Sequence, residues 1–179
     1  SDIDKNAVEE AIRIKEKVGG KITIMTVGPP DAREKVKELL AMGADEGVII
    51  PPPENPDYHL IGKILAKGIE KLGDVDLVLC GEASIDMFSG QIGPRIAGSL
   101  NLPQITYAFK VEADGEKIVA ERNMGDKMVK TESTYPVVVT VTKEINEPRL
   151  PSLMQILGSA NKPINEWSLA DVGMDGEEP

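Results

Sequence analysis

Two stretches constrain this 179-residue chain more than any others: Val75-Asp-Leu-Val-Leu-Cys-Gly81 and Tyr135-Pro-Val-Val-Val-Thr-Val-Thr142 are nearly unbroken apolar runs of strand length. A strand with one face in water alternates apolar and polar side chains. A continuous run has to be covered on both faces, as parallel strands are by their crossover helices. Helices are therefore required between the strands, and the intervening sequence supplies them. Asp4 to Val18 reads as an amphipathic helix capped by Asp4, with Ala7, Val8, Ala11, Ile12 and Val18 on one face and Glu9, Glu10, Arg13, Lys15 and Glu16 toward water. Gly19-Gly20 ends it, the β-branched stretch Lys21 to Val27 follows as a strand, and Gly28-Pro29-Pro30 breaks that strand. A helix capped by Asp31 and buried through Val36, Leu39 and Leu40 leads to a short strand, Gly47 to Ile50, which Pro51-Pro52-Pro53 stops. Asp57 to Leu72 predicts a third helix and Gly90 to Leu100 a fourth. Ile105 to Val111 and Glu116 to Arg122 pair as a hairpin about Asp114-Gly115. Ser152 to Gly158 suits a short helix, and Asn165 to Pro179 is an acidic tail, either loose or docked elsewhere.

The expected architecture is α/β: a doubly wound, mostly parallel open sheet of Rossmann-like type, with right-handed crossovers and an inserted antiparallel hairpin. A doubly wound domain ordinarily opens on a strand, and this chain opens on a helix. That strand is expected to be lost or supplied by another segment, and the chain reads as a fragment.

Composition then narrows the chemistry. Twenty Lys and Arg against thirty Asp and Glu give a net charge of −10, which argues against wrapping nucleic acid or coating an anionic membrane. Cys80 and His59 are each single, which excludes a disulfide framework, multi-Cys or multi-His zinc, and most Ser-His or Cys-His pairs. One Trp, three Tyr and two Phe are too few for a base-stacking platform. No apolar run reaches membrane-spanning length and no signal-peptide pattern opens the chain, so a reducing, cytoplasmic setting is expected.

In an open α/β sheet, ligands bind beyond the carboxyl ends of the strands. The most suggestive such end is Gly81-Glu-Ala-Ser-Ile-Asp-Met-Phe-Ser-Gly-Gln-Ile-Gly93. There the backbone N–H groups of Gly90, Gln91 and Ile92 would open a helix without helical partners and could face a phosphate. Gly90 permits close approach, the Ser89 hydroxyl could donate, and Asp86 could accept from a ribose hydroxyl or an amine. The same residues equally suit a plain helix cap and a stabilised loop. No Walker-A or G-x-G-x-x-G pattern is present, and Ser89 has no base in reach, so hydrolase chemistry is not expected. A second stretch, Asn146-Glu-Pro-Arg-Leu-Pro-Ser-Leu-Met-Gln-Ile-Leu157, carries Leu150, Leu153 and Met154 outside the sheet. It is either a partner surface or packing on its own domain.

Several runs together resemble the β subunit of electron transfer flavoproteins. They are Asp4-x-x-Ala-Val-Glu-Glu-Ala11, Ala41-Met-Gly-Ala-Asp45, Val75-Asp-Leu-Val-Leu79, Asp86-x-x-Ser-Gly-Gln-x-Gly93, Leu102-Pro-Gln-Ile-Thr106, Asn146-Glu-Pro-Arg149 and Lys162-Pro-Ile164. The resemblance covers nearly the whole chain in order. It implies an adenine-nucleotide-hydrolase-like fold and one half of a heterodimer whose α subunit holds most of a redox-active FAD. This subunit would hold AMP, or a second FAD in members that bifurcate electrons from NADH. Flavin dehydrogenases would reduce the pair, and a quinone-linked oxidoreductase or similar acceptor would oxidise it, in the cytoplasm or, in a eukaryote, the mitochondrial matrix. By resemblance the nucleotide is lined by Gly81, Glu82, Ala83, Asp86, Ser89, Gly90, Gln91 and Ile92, with Val27 at the adjacent strand end and Asp2, Ile3 and Asp4 flanking. Leu153 matches the family's recognition-loop leucine, with Leu150 and Met154 beside it. The division implied is residues 1–145 as the nucleotide-binding domain, 146–164 as partner-recognition loop and short helix, and 165–179 as tail.

Three departures stand out. Ile3 replaces the family's aromatic residue, Gly125-Asp-Lys127 and the positions around Val129 and Thr131 depart from its later signature, and its first strand and C-terminal arm have no counterpart here. Gly90-Gln-Ile-Gly93 followed by Pro94 leans toward the FAD-binding branch. A stand-alone sensor of the universal-stress type would share the α/β core, but its glycine-rich phosphate loop is not found.

Overall fold

The computed structural model describes residues 2–81 and 89–176. In chain order the elements are α1 (Asp2–Val18), β1 (Thr23–Val27), α2 (Ala32–Met42), β2 (Glu46–Ile50), α3 (Tyr58–Leu72), β3 (Leu77–Gly81), α4 (Ser89–Leu100), β4 (Gln104–Ala113), β5 (Lys117–Asn123), β6 (Met128–Thr134), β7 (Val137–Val141), α5 (Leu153–Ser159) and β8 (Ile164–Glu166). Short 3-10 turns follow at Lys143–Ile145 and Ala170–Val172. Helices alternate with parallel strands as the apolar runs require.

The strands divide between two sheets. One is parallel, in the order β1-β2-β8; the other runs β3-β7-β4-β5-β6, with β3, β7 and β4 parallel and β4, β5 and β6 antiparallel. Among the described residues no ladder joins β1 to β3, and a groove of about 1060 Å³ is lined by both, through Met25, Val27, Leu79 and Gly81 among others. The five residues of β7 are all buried, which explains their unbroken apolar character. The expected hairpin forms because the Asp114 carboxylate accepts from the Glu116 and Lys117 N–H groups at 2.8 and 2.9 Å.

Several expectations are corrected. α1 starts at Asp2, so Asp4 lies inside the helix instead of capping it; it is exposed, 3.4 Å from Lys35 Nζ. Asp31 occupies the N-cap position of α2 without a side-chain cap bond. Glu9 and Glu10, assigned to water, are buried, because another segment covers that side of α1. β6 extends the hairpin to a third strand; as an exposed edge rich in Lys, Glu, Ser and Thr it carries little apolar signal. Of the two alternatives for the tail, its described residues take the docked one: β8 joins β2, and Val172 and Met174 are buried in the core of the first sheet. No helix among the described residues is long and apolar enough to cross a membrane.

α4 is seated by two close approaches. A Cβ at Gly93 would collide with the Thr140 methyl of β7, and one at Gly62 would lie 2.5 Å from Arg95 Cβ, so α4 packs tightly on both β7 and α3. Gly98, by contrast, is exposed on α4 with nothing near. Gly93→Ala is expected to destabilise by about 1–3 kcal/mol through overpacking. Gly98→Ala should stabilise by about 0.5–1 kcal/mol through helix propensity. Urea unfolding midpoints of the two variants check both signs.

Candidate functional site

Val27 and Gly81 are the last residues of β1 and β3, both half-buried, and both line the groove between those strands. Ile92, one turn into α4, packs with Ile96, Ala97 and Val138 and lines the same groove, as does Asp4. Val27, Gly81, Ile92 and Asp4 therefore share one long groove, which also runs past the opposite ends of both strands at Lys21 and Asp76. The backbone of Ser89, Gly90 and Gln91 opens α4, where the first N–H groups have no helical acceptor. Asp2 and Ile3 open α1. Glu82, Ala83 and Asp86 lie outside the described residues.

The docking stretch stands apart from that groove in sequence and in character. Leu150 is 92% exposed, Leu153 72% and Met154 79%, with Ile156 and Leu157 also exposed. Such a row of apolar side chains on one short helix and the loop before it is unusual for a solvent face. Leu150, Leu153 and Met154 are all where a partner could reach them. Ser152 caps α5 by accepting from the Gln155 N–H, while the Gln155 side chain accepts from the Ser152 N–H, a complete capping box.

The segment just before α5 is fastened to α1. Glu9 is 1% exposed, and its carboxylate accepts from the Arg149 N–H at 2.8 Å, Arg149 Nε at 2.9 Å and Arg149 Nη2 at 2.8 Å, and from Arg13 Nε at 2.9 Å. Arg149 also donates to Glu16 at 2.9 Å. Asn6 and Asn146 exchange bonds: the Asn6 amide donates to the Asn146 carbonyl at 2.9 Å, and the Asn146 amide donates to the Asn6 carbonyl at 2.9 Å. Beyond α5, Lys162 Nζ donates to the Leu40 and Ala44 carbonyls at 2.8 and 2.7 Å, satisfying the C-terminal end of α2.

These roles were hidden in the sequence. Asn6, Glu9, Glu10, Arg13 and Glu16 follow helical spacing, so they read as a solvated stripe beside the apolar one. The one available signal was Arg149, a fixed cation in a Pro-flanked stretch with no acidic neighbour to answer it except Glu147.

Burial works to raise the Glu9 pKa, but the bonds from Arg149 and Arg13 outweigh it and hold the carboxyl down at about 2, from an ordinary 4.5. Glu10 moves the other way: burial pushes it up, against the Asn146 bond and Arg13. The Arg149 guanidinium is raised by its bonds to Glu9 and Glu16. For Glu9, with its folded value depressed, the stabilisation is fully present above the unfolded value and is lost as pH falls through the folded one. Glu9→Gln should cost about 3 kcal/mol at neutral pH, the low end for removing one partner of a buried pair, since Arg149 keeps Glu16. The gap between wild type and variant should hold above pH 4.5 and close as pH approaches 2, read from unfolding curves across that range.

Comparison with known proteins follows the same lines. The family model for the electron transfer flavoprotein domain matches residues 1–172. An electron transfer flavoprotein subunit beta of Thermoanaerobacterium thermosaccharolyticum is 45% identical over 161 residues, covering 89% of this chain and 62% of that protein. The subunit beta of Bacillus subtilis is 40% identical over 178 residues, covering 98% of this chain and 69% of that protein. The caffeyl-CoA reductase-Etf complex subunit CarD of Acetobacterium woodii is 37% identical over 177 residues, covering 97% and 68%. The chain thus spans from 62% to 69% of the length of these relatives. On the match over residues 1–172 and these identities, the chain belongs to the electron transfer flavoprotein family, among its beta subunits.

Proposed function

We propose that the chain is the nucleotide-holding half of a heterodimeric electron carrier, paired with an α subunit that keeps most of the redox-active FAD. The observation that supports this reading is a groove running the length of β1 and β3, whose lining includes the last residue of each strand, Val27 and Gly81, and Ile92 in the first turn of α4, in a chain of this family. The fit to a nucleotide is physical. The groove offers apolar walls for a planar base, and the first N–H groups of a rigidly seated helix suit a phosphate. The residues that would hold it are Val27, Gly81, Ser89, Gly90, Gln91 and Ile92, with Glu82, Ala83 and Asp86 between them in sequence and Asp2, Ile3 and Asp4 flanking. A bound flavin would supply reversible one- and two-electron chemistry; this chain's residues bind, orient and shield.

AMP and a second FAD are the two candidates for the site, and the small, proline-followed Gly90-Gln-Ile-Gly93 turn favours FAD. Electrons would come from flavin dehydrogenases, or from NADH if the protein bifurcates, and leave to a quinone-linked or similar acceptor. The loop and short helix of residues 146–164 would make the partner contact, beside a nucleotide domain of 1–145 and a tail of 165–179. A relative named as a subunit of a caffeyl-CoA reductase-Etf complex supports a partner of reductase or dehydrogenase type.

Two tests follow. The heterodimer, denatured, should release FAD together with either AMP or a further FAD, identified by chromatography with its stoichiometry. Release of no adenine nucleotide beyond the α-subunit flavin overturns the site. Leu153→Ala should raise the KM for the reducing dehydrogenase by about tenfold or more, the scale of a buried hot spot, with nucleotide content unchanged.

A further inference from the structure

α5 is seven residues long and shows its apolar side chains to solvent, so it cannot be held by burial of its own face. A helix this short is also unstable alone, because nucleation costs more than one turn of bonds returns. Its capping box secures its first turn but not its direction relative to the rest of the molecule. α2 lies alongside α5 but buries none of its side chains, so the direction is set mainly at the two ends. Downstream, Lys162 ties the chain to the end of α2. Upstream, Glu9 grips Arg149 by backbone and side chain together, one residue before Leu150 and four before Leu153. Because the Arg149 N–H itself donates to Glu9, the pair fixes the main chain there and not only a side chain.

We infer that Glu9 and Arg149 are positioning residues for partner docking: the buried pair sets the direction in which the row Leu150, Leu153, Met154 and Leu157 is presented. This rests on the docking reading of the loop given above. Holding the row in its bound direction before the encounter removes the ordering cost that a free loop would meet on binding. The guanidinium is required for geometry as well as charge, since one planar fork reaches Glu9 and Glu16 at once. A lysine at 149 keeps the charge and loses the fork. Neither residue touches the partner or the nucleotide groove; they act through Leu153.

The experiment uses the heterodimer with the flavin dehydrogenase that reduces the wild-type protein, measuring KM and kcat for electron transfer. The variants are Glu9→Gln, Arg149→Lys, Glu16→Gln, Leu153→Ala and the double variant Glu9→Gln with Leu153→Ala. Glu9→Gln and Arg149→Lys should each raise KM by about three- to tenfold, with kcat within about twofold and nucleotide content retained. Glu16→Gln, at the exposed arm of the fork, should move KM in the same direction by less. The double variant should be no worse than Leu153→Ala alone, because both changes remove the same contact. An unchanged KM in Arg149→Lys and Glu9→Gln, or fold-changes that multiply in the double variant, overturns the inference while leaving the docking loop in place. If Glu9→Gln does not fold, Arg149→Lys and Glu16→Gln decide it. If Leu153→Ala itself leaves KM unchanged, or no dehydrogenase reduces the protein, the docking reading falls and this inference with it.

Discussion

Helix α1 turns Ala7 into the core of the five-stranded sheet and packs Val8 and Ile12 against Leu39, Met42, Ile22 and Ile24 of the three-stranded one, so a single helix spans two sheets that no described ladder joins. Its third side carries Asn6, Glu9, Glu10, Arg13 and Glu16 and fastens residues 146–149. At 100° per residue a helix has room for an apolar stripe and a polar one side by side, and here the apolar stripe and the Asn6, Glu9 and Glu10 part of the polar one are both covered. Lys15 extends the tie by donating to Asp45 at 2.7 Å, while Asp45 accepts from the Ile22 N–H at the entry to β1. The groove between β1 and β3 and the exposed apolar loop after residue 149 are thus both referenced to one helix.

What was legible in the sequence followed the physics that sequence carries locally. Continuous apolar runs mark strands covered on both faces, and β7 is such a strand. Asp114-Gly115 marks a tight turn because its carboxylate serves two N–H groups within that turn. What was illegible depended on distant chain. β6 is an exposed edge that pairs with β5 through its backbone ladder and one surface ion pair, Lys117 with Glu132 at 3.1 Å, and β8 is only three residues long. Both are strands by partnership and not by composition. The burial of Glu9 belongs to the same class: a carboxylate on an amphipathic helix is assigned to water until a guanidinium 140 residues away is brought onto it.

The candidate site was legible in part for a related reason. The rule that ligands gather at carboxyl ends of parallel strands needs only strand order, and Val27, Gly81 and Ile92 all line one long groove between β1 and β3. The motifs that carry the family resemblance have other physical duties. Asp45 joins α1 to β1, Asn146 and Arg149 fasten the docking loop to α1, Lys162 closes α2, and Gly93 admits the Thr140 methyl. A family signature in this chain is largely a record of how its loops are clamped, which a motif read alone does not reveal.

The choice of an ion pair for the upstream clamp is itself informative. Burying a carboxylate carries a large desolvation cost, and apolar replacements of buried pairs are often as stable or more so. If stability were the only requirement, a Leu pair between α1 and the loop would serve. An apolar contact, however, is indifferent to rotation and slides at little cost, whereas five donors in a planar fork meet two carboxylates in few orientations. Glu9 accepts from three donor atoms of Arg149 including its main-chain N–H, so translation and rotation of the loop are both opposed. With a row of exposed leucines and methionine immediately beyond, a greasy clamp would also compete with the hook for the same kind of surface. A polar, directional clamp behind an apolar hook keeps the two from exchanging places, and leaves the hook free for the partner.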